Sequence, residues 1–116
     1  MKKIFLFFIF LLVDFWLFAS TKVYYYVYEM GWAEECMGMN QIYHKNDDLS
    51  GVYYSEDQSD VITHRNATID EYGKRLGDFK VAKNGDLHFY KPDIEDDRHR
   101  NWSYGYISTI RYAEVE

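Results

Sequence analysis

The segment Phe79-Lys-Val-Ala-Lys-Asn-Gly-Asp-Leu-His-Phe-Tyr-Lys91 carries the strongest local signal in the chain. Asn84-Gly85 is the dipeptide that a two-residue type I′ turn favours, because both central residues of that turn need positive φ. The residues on either side, 79–83 and 86–91, alternate apolar and polar side chains as half-buried strands do. The segment therefore predicts a β-hairpin. Its predicted core residues are Phe79, Val81, Leu87 and Phe89.

The chain that follows the hairpin predicts one further strand. Pro92 lacks a backbone donor and is predicted to end the second hairpin strand. Asp93–Arg100 is charged and is predicted to be a loop, whereas Trp102–Tyr112 is rich in alternating aromatic and β-branched residues. Gly105 within it is expected to mark a bulge or bend.

The chain that precedes the hairpin predicts a further strand and a short helical turn. Asp60–Arg65 has Val61 and Thr63 on one side of a strand. Thr68-Ile-Asp-Glu71 has the form of a capping box and predicts one or two helical turns before Gly77.

Earlier still, Asn40–His44 and Gly51–Ser55 are predicted to be the two strands of another hairpin. Lys22–Met30 fits a strand with both faces covered, or the last turns of a longer membrane helix. Trp32–Met39 is predicted to be a loop or one helical turn. The chain thus predicts six or seven strands in about 95 residues. The expected fold is mainly β, a small antiparallel barrel or sandwich preceded by an N-terminal hydrophobic helix.

The N-terminus opens with Met1-Lys2-Lys3 and continues as an almost wholly apolar segment, Ile4–Ser20. Its first part resembles a secretory signal peptide, but Leu17 and Phe18 lie where a signal peptidase needs small side chains. As an uncleaved anchor the 17 residues form about 26 Å of helix, close to the ~30 Å hydrocarbon core of a bilayer. A hydrophobic helix of a soluble protein is the third possibility.

The predicted division is therefore 1–20, a signal-anchor or signal peptide, and 21–116, a single β-rich extracytoplasmic domain. The flanking lysines keep the N-terminus inside and send the domain out to the periplasm or the cell exterior. If the leader is cleaved, the domain is secreted. Candidate membrane-contacting residues are Phe5, Phe8, Leu12, Asp14 and Trp16.

The composition of the domain limits its partners. From Thr21 onward there are 11 Lys and Arg and 18 Asp and Glu residues, a formal charge of −7. No basic stripe is present to neutralise phosphates, so nucleic acid is not an expected partner, whereas a basic protein is allowed. The single cysteine, Cys36, predicts a domain without an internal disulfide.

No catalytic, metal or cofactor motif stands out. His44, His64, His88 and His99 lack the spacing of known metal sites, and no nucleophile elbow or phosphate loop is present. The expectation is a non-catalytic domain with no cofactor and no metal.

What favours binding is the tyrosine content. All 12 tyrosines follow the apolar segment, more than so small a core can bury, and tyrosine is a common interface residue. The same rings are also explained if they line the sheet with their hydroxyls in water. The candidate partner-binding residues are Tyr53, Tyr54, Trp102, Tyr104 and Tyr106.

The predicted function is binding of another macromolecule, as an inhibitor or immunity-type protein that blocks a basic effector. That role rests on an analogy with inhibitor and immunity-type proteins in size, acidity and cellular location. One alternative is a small envelope enzyme or ligand-binding barrel with a His-containing pocket. Another is a subunit of a membrane complex in which Asp14 pairs with a basic residue on a neighbouring helix.

Overall fold

A computed structural model describes residues 20–38, 40–95 and 99–116 of the chain. The strands are β1 (Thr21–Cys36), β2 (Ile42–Lys45), β3 (Gly51–Ser55), β4 (Phe79–Val81), β5 (Leu87–Glu95), β6 (His99–Ile107) and β7 (Arg111–Val115). One α-helix, α1 (Gln58–Leu76), and a short 3-10 helix, Asp47–Leu49, lie between them.

The seven strands form one open antiparallel sheet organised around β1. This long strand pairs with β3 and β2 along one side and with β7 and β6 along the other. β5 then pairs with β6, and β4 pairs with β5 at the far edge. The mainly β, antiparallel prediction is confirmed. The prediction of a barrel or sandwich is wrong, because the sheet does not close on itself and a helix covers one of its faces.

Helix α1 is capped at its N-terminus by Asp57, whose carboxylate accepts a hydrogen bond from the Ser59 backbone N–H, and at its C-terminus by Gly77, which has a φ of +85°. Its buried residues are Val61, Thr68, Tyr72 and Leu76, spaced as one helical face. The strand predicted at Asp60–Arg65 is therefore wrong, and the predicted capping box lies inside the helix.

The core lies between α1 and the sheet. Tyr26 and Met30 from β1, Leu87 and Phe89 from β5, and Ile107 from β6 form it together with the buried helix residues. A Cβ at Gly105 would stand 2.7 Å from Leu76 Cδ1, so this glycine lets the helix approach the sheet. The prediction of Leu87 and Phe89 as core residues is confirmed, whereas Phe79 and Val81 on the edge strand stay exposed.

The 79–91 hairpin forms as predicted but with a different turn. The Gly85 N–H donates to Ala82 O and the Ala82 N–H donates to Asp86 O, which makes a three-residue loop. Gly85 has a φ of +92° while Asn84 does not enter the positive-φ region. This is the three-residue arrangement with a left-handed glycine, not a type I′ turn.

Several other local predictions are wrong, mainly because the neighbouring strands pair with β1. β2 and β3 each pair with β1 and not with one another. Trp32–Cys36, predicted to be part of a loop, extends β1. β5 passes through Pro92 by means of a register shift and continues to Glu95.

The predicted strand at Trp102–Tyr112 is split between β6 and β7. The break comes at Ser108, where the backbone N–H donates to Val27 O and the hydroxyl oxygen accepts from the Val27 N–H.

The predicted hydrophobic helix at residues 1–20, with Phe5, Phe8, Leu12, Asp14 and Trp16, lies outside the described residues apart from Ser20 and stays a prediction. In the part of the chain that the structure describes, no helix is long and apolar enough to cross a membrane.

Candidate functional site

The sheet face opposite helix α1, here called the open face, is rich in aromatic rings. Residues directly opposed in an antiparallel sheet share a face. Ala33 opposes both Tyr43 and Trp102, and Gly31 opposes Tyr104, which in turn opposes Tyr90. The same alternation sets the remaining members of the face. Its aromatic residues are Tyr25, Tyr43, Tyr54, His88, Tyr90, Trp102, Tyr104 and Tyr106.

Trp102 forms the centre of the open face. Its residue is only 7% exposed although no helix among the described residues covers it, because neighbouring rings surround it. Tyr43 meets Trp102 edge-on with ring centroids 6.4 Å apart, and Tyr90 lies 6.2 Å away on the other side. Ala33 beneath the indole is fully buried. These contacts make a small second hydrophobic cluster on the uncovered side of the sheet.

A glycine in β1 allows this cluster to lie flat on the sheet. A Cβ at Gly31 would stand 2.3 Å from the backbone oxygen of His44 and 2.9 Å from the Tyr104 hydroxyl oxygen. Tyr104 also packs edge-on against Tyr43 at 5.6 Å. The bare backbone at residue 31 therefore provides the space that Tyr104 occupies.

Two tyrosine hydroxyls of the open face are bonded to carboxylates. Tyr104 donates to Glu29 Oε2 over 3.0 Å, and Tyr106 donates to Asp86 Oδ2 over 2.7 Å. Burial, helped by the Glu29 carboxylate, raises the pKa of Tyr104 to about 12. Burial and the Asp86 carboxylate likewise raise the pKa of Tyr106. Both phenols are therefore neutral hydrogen-bond donors at physiological pH.

Asp86 is a buried carboxylate that stays ionised. Burial pushes its pKa upward, but hydrogen bonds from the Tyr106 hydroxyl, the Thr109 backbone N–H and the Asn84 amide, together with the Arg111 charge, outweigh burial and lower the pKa. The backbone N–H of Thr109 lies 2.9 Å from Asp86 Oδ1. Asp86 thus ties the 79–91 hairpin to the segment between β6 and β7.

Exposed apolar side chains flank the aromatic centre. Tyr43 and Val52 are more than half exposed, Tyr90 is nearly half exposed and Tyr54 is 70% exposed. Val52 and Tyr54 lie on the edge strand β3, and Tyr43 lies on the edge strand β2. The open face therefore presents apolar surface to solvent around a centre that is already packed.

Four of the five predicted partner-binding residues lie on this face. Tyr54, Trp102, Tyr104 and Tyr106 share it, whereas Tyr53 points to the helix side. There Tyr53 stacks on His64 with ring centroids 3.7 Å apart and donates to Asp60 Oδ2. The sequence interpretation missed Tyr25, Tyr43, His88 and Tyr90. The strand alternation that turns Phe89 into the core was the signal that would have placed His88 and Tyr90 on the opposite face.

On the helix side, a buried polar cluster joins α1 to β1. The Tyr26 hydroxyl lies 2.6 Å from His64 Nδ1 and 2.6 Å from Thr68 Oγ1. Burial, partly offset by the Thr68 hydrogen bond, raises the pKa of Tyr26 to about 12. Thr68 also donates to the backbone oxygen of His64. The cluster satisfies the polar groups under the helix.

A cavity of about 670 Å³ lies beyond the end of the helix and is lined by Glu34, Cys36, Asn40, Ile42 and His99. Cys36 opposes His99 across β1 and β6, and His44 Nε2 lies 3.1 Å from Glu34 Oε1. Among the described residues, no three His, Cys, Asp or Glu side chains are gathered as a metal-binding group.

No protein-family model, no curated protein and no solved structure matches the chain.

Proposed function

We propose that the protein is a non-catalytic binding module whose open face docks another macromolecule, specifically a protein. The observation that carries this proposal is an aromatic sheet face that no element of the described chain covers. In it, a packed centre at Trp102 is surrounded by exposed Tyr43, Tyr54 and Tyr90. Protein interfaces have this anatomy, with aromatic residues enriched at their centre and their energetic hot spots.

The dimensions of the face support a protein partner. Five neighbouring strands at ~4.8 Å spacing are about 19 Å wide, and the nine residues from Tyr25 to Ala33 extend the face by about 27 Å. The projected area is on the order of 500 Å², comparable with the ~800 Å² of accessible surface that each partner buries in a standard interface.

The proposed cellular location of the domain follows from the N-terminal segment. Strand β1 begins at Thr21, directly after the apolar segment. A signal-anchor or signal peptide at residues 1–20 would therefore hold the domain at the outer side of a membrane, or release it there. An inhibitor or immunity-type role fits this arrangement, since a domain without a catalytic centre acts by covering its partner.

A site-specific cross-linking experiment tests the binding role. A photoreactive phenylalanine analogue is placed at Tyr54, at Tyr90 or at Ile62, an exposed residue of helix α1. In cells that carry the gene, irradiation is expected to give one discrete protein adduct from Tyr54 and Tyr90 and none from Ile62. Adducts from Ile62 alone, or no adduct from either position on the open face, would contradict the proposal.

A second candidate function, an enzyme or ligand-binding protein with a His-containing pocket, is favoured by one observation. Cys36 and His99 oppose one another in the cavity beyond the helix, next to Glu34. A thiolate with a nearby imidazole is the usual composition of a cysteine nucleophile. Labelling with iodoacetamide tests this role. A reactive thiolate at Cys36 would alkylate much faster at neutral pH than a free cysteine, and His99→Ala would abolish the difference.

A further inference from the structure

We propose that a second copy of this chain pairs with the outer side of strand β3, so that the sheets of the two copies join into one. This inference goes beyond the binding role proposed above, because it concerns an edge of the sheet and not the docking of another protein on the open face.

The direction of the main-chain groups in β3 follows from the bonds that its neighbour β1 makes. The Val27 N–H donates to the Ser108 hydroxyl oxygen, and the Val27 C=O accepts from the Ser108 N–H, on the side of β1 away from β3. Main-chain groups alternate in direction along a strand, so the adjacent Tyr26 bonds to β3 through its opposite residue, Tyr53.

The main-chain groups of β3 that point away from β1 are therefore those of Val52 and Tyr54. β3 pairs with β1 and with no other described strand. No hydrogen bond between described residues uses the N–H or C=O groups of these two residues. The outer side of β3 thus presents donors and acceptors in the arrangement that a further antiparallel strand requires.

Strand β3 also lacks the charged residue that each other outer strand of the described sheet carries. Lys45 lies in β2, Lys80 in β4 and Arg111 in β7, whereas β3 is Gly-Val-Tyr-Tyr-Ser. Charged side chains on outer strands oppose pairing with another chain. β3 is therefore the edge at which pairing is favoured, and because each copy has one such edge, association closes at a dimer.

A two-fold register centred on Tyr53 fits β3 to itself. It places Val52 of one copy opposite Tyr54 of the other, so the outward residues of both copies exchange N–H···O bonds. The small residues Gly51 and Ser55 oppose one another at the two ends. The exposed Val52 and Tyr54 side chains then form aromatic and β-branched cross-strand pairs, which stabilise antiparallel sheets.

The same register separates the charges nearest to β3. Glu56, the first charged residue after the strand, lies opposite Ser50 of the second copy. The segment from Ser50 to Glu56 extends about 20 Å, so the two Glu56 carboxylates lie at opposite ends of the paired strands. That separation exceeds the ~8 Å screening length of physiological salt. Glu56 therefore does not prevent the pairing.

The paired edge is small, so the dimer is expected to be weak. The five residues of β3 extend about 17 Å and bury much less than the ~800 Å² per partner of a standard interface. Asp60, which accepts a hydrogen bond from Tyr53 near the two-fold axis, and the net charge of −7 also oppose association. We expect the dimer to form at micromolar concentrations, and to be favoured where an anchor concentrates the chain at a membrane.

Sedimentation equilibrium of the full chain in detergent at physiological salt tests the pairing with two double variants. Val52→Lys/Tyr54→Lys, the like-charged variant, places like charges directly opposite in the proposed register. Val52→Lys/Tyr54→Glu, the opposite-charged variant, places opposite charges there. Both variants replace exposed side chains, and urea unfolding checks that each is folded.

The wild-type chain and the opposite-charged variant are expected to dimerise, and the dissociation constant of the like-charged variant to be about tenfold higher or more. The like-charged variant has the smaller net negative charge, so overall repulsion does not explain its weaker association. A wild-type chain that stays monomeric, or equal dissociation constants for the two variants, would overturn the paired edge.

Cross-linking separates this inference from the binding role. A photoreactive residue at Tyr54 is expected to give, besides the adduct that it shares with Tyr90, an adduct of two copies of the chain that Tyr90 on β5 does not give. The shared adduct reports the binding role, so either proposal can fail alone. An adduct with another protein from Tyr54 but not from Tyr90, in a chain that is monomeric, would replace the second copy with a strand of that protein.

Discussion

Gly31 and Tyr104 oppose one another across β1 and β6, and a Cβ at residue 31 would stand 2.9 Å from the Tyr104 hydroxyl oxygen. The same Cβ would stand 2.3 Å from the backbone oxygen of His44, which a side-chain rotation cannot relieve. One glycine thus sets both the spacing of β1 and β2 and the position of a ring at the centre of the open face.

The first prediction concerns this glycine. Gly31→Ala is expected to lower the free energy of unfolding by about 1–3 kcal/mol, because backbone must shift to admit the methyl group. Urea denaturation measures the change. The matched control is Gly73→Ala in helix α1, where a Cβ meets nothing within 4 Å and alanine is expected to stabilise the helix by up to about 1 kcal/mol. Equal effects at both positions would show that residue 31 is not crowded.

The second prediction separates the packed centre of the open face from its exposed surroundings. Trp102→Ala removes a residue that is 7% exposed and is expected to cost about 3 kcal/mol or more. Tyr54→Ala removes a residue that is 70% exposed and is expected to change stability by less than about 0.5 kcal/mol. Thermal and urea unfolding measure both. If Tyr54→Ala retains stability but loses the adduct formed from a photoreactive residue at Tyr90, the exposed Tyr54 ring serves binding and not folding.

Local signals in the sequence predicted most of the strands at least in part, but the pairing of those strands depends on distant contacts. Asn84-Gly85 indicated its hairpin because a turn is set by adjacent residues. Helix α1 was missed because its buried face is spread from Val61 to Leu76, whereas Asp60–Arg65 alone alternates like a strand. β2 and β3 were paired with one another because the chain joins them, but the length of β1 lets it bond to both.

The candidate site was predictable in part by alternation alone. Trp102, Tyr104 and Tyr106 are two residues apart and share a face wherever they form a strand. Tyr53 and Tyr54 are adjacent, so only one of them can join that face, and the structure shows that it is Tyr54.

The third prediction concerns the polar cluster beneath helix α1. Tyr26→Phe removes a hydroxyl that contacts both His64 and Thr68 and is expected to lower the free energy of unfolding by about 1–3 kcal/mol, because buried partners lose a hydrogen bond. Tyr28→Phe, two residues along the same side of β1, is the control, since the Tyr28 hydroxyl makes no side-chain hydrogen bond among the described residues. Similar losses for the two variants in urea would contradict a special role for the Tyr26 hydroxyl.

The fourth prediction is a loss of stability in alkali. Tyr104 has a pKa of about 12 in the folded protein, compared with about 10 in the unfolded chain. A group whose pKa is raised by folding contributes stability that is complete below the unfolded pKa and lost as the pH rises toward the folded one. Stability is therefore expected to fall between about pH 10 and pH 12.

Urea unfolding across this pH range measures the effect, with phenolate absorbance reporting ionisation. Tyr104→Phe should remove part of the alkaline loss, because the hydroxyl that donates to Glu29 is gone and only the other raised tyrosines remain. Tyr54→Phe on the exposed edge strand should leave the pH profile unchanged. If the dependence of stability on pH is the same in Tyr104→Phe, the Tyr104 phenol ionises as readily in the folded chain as in the unfolded one. That result would contradict the stabilising hydrogen bond from Tyr104 to Glu29.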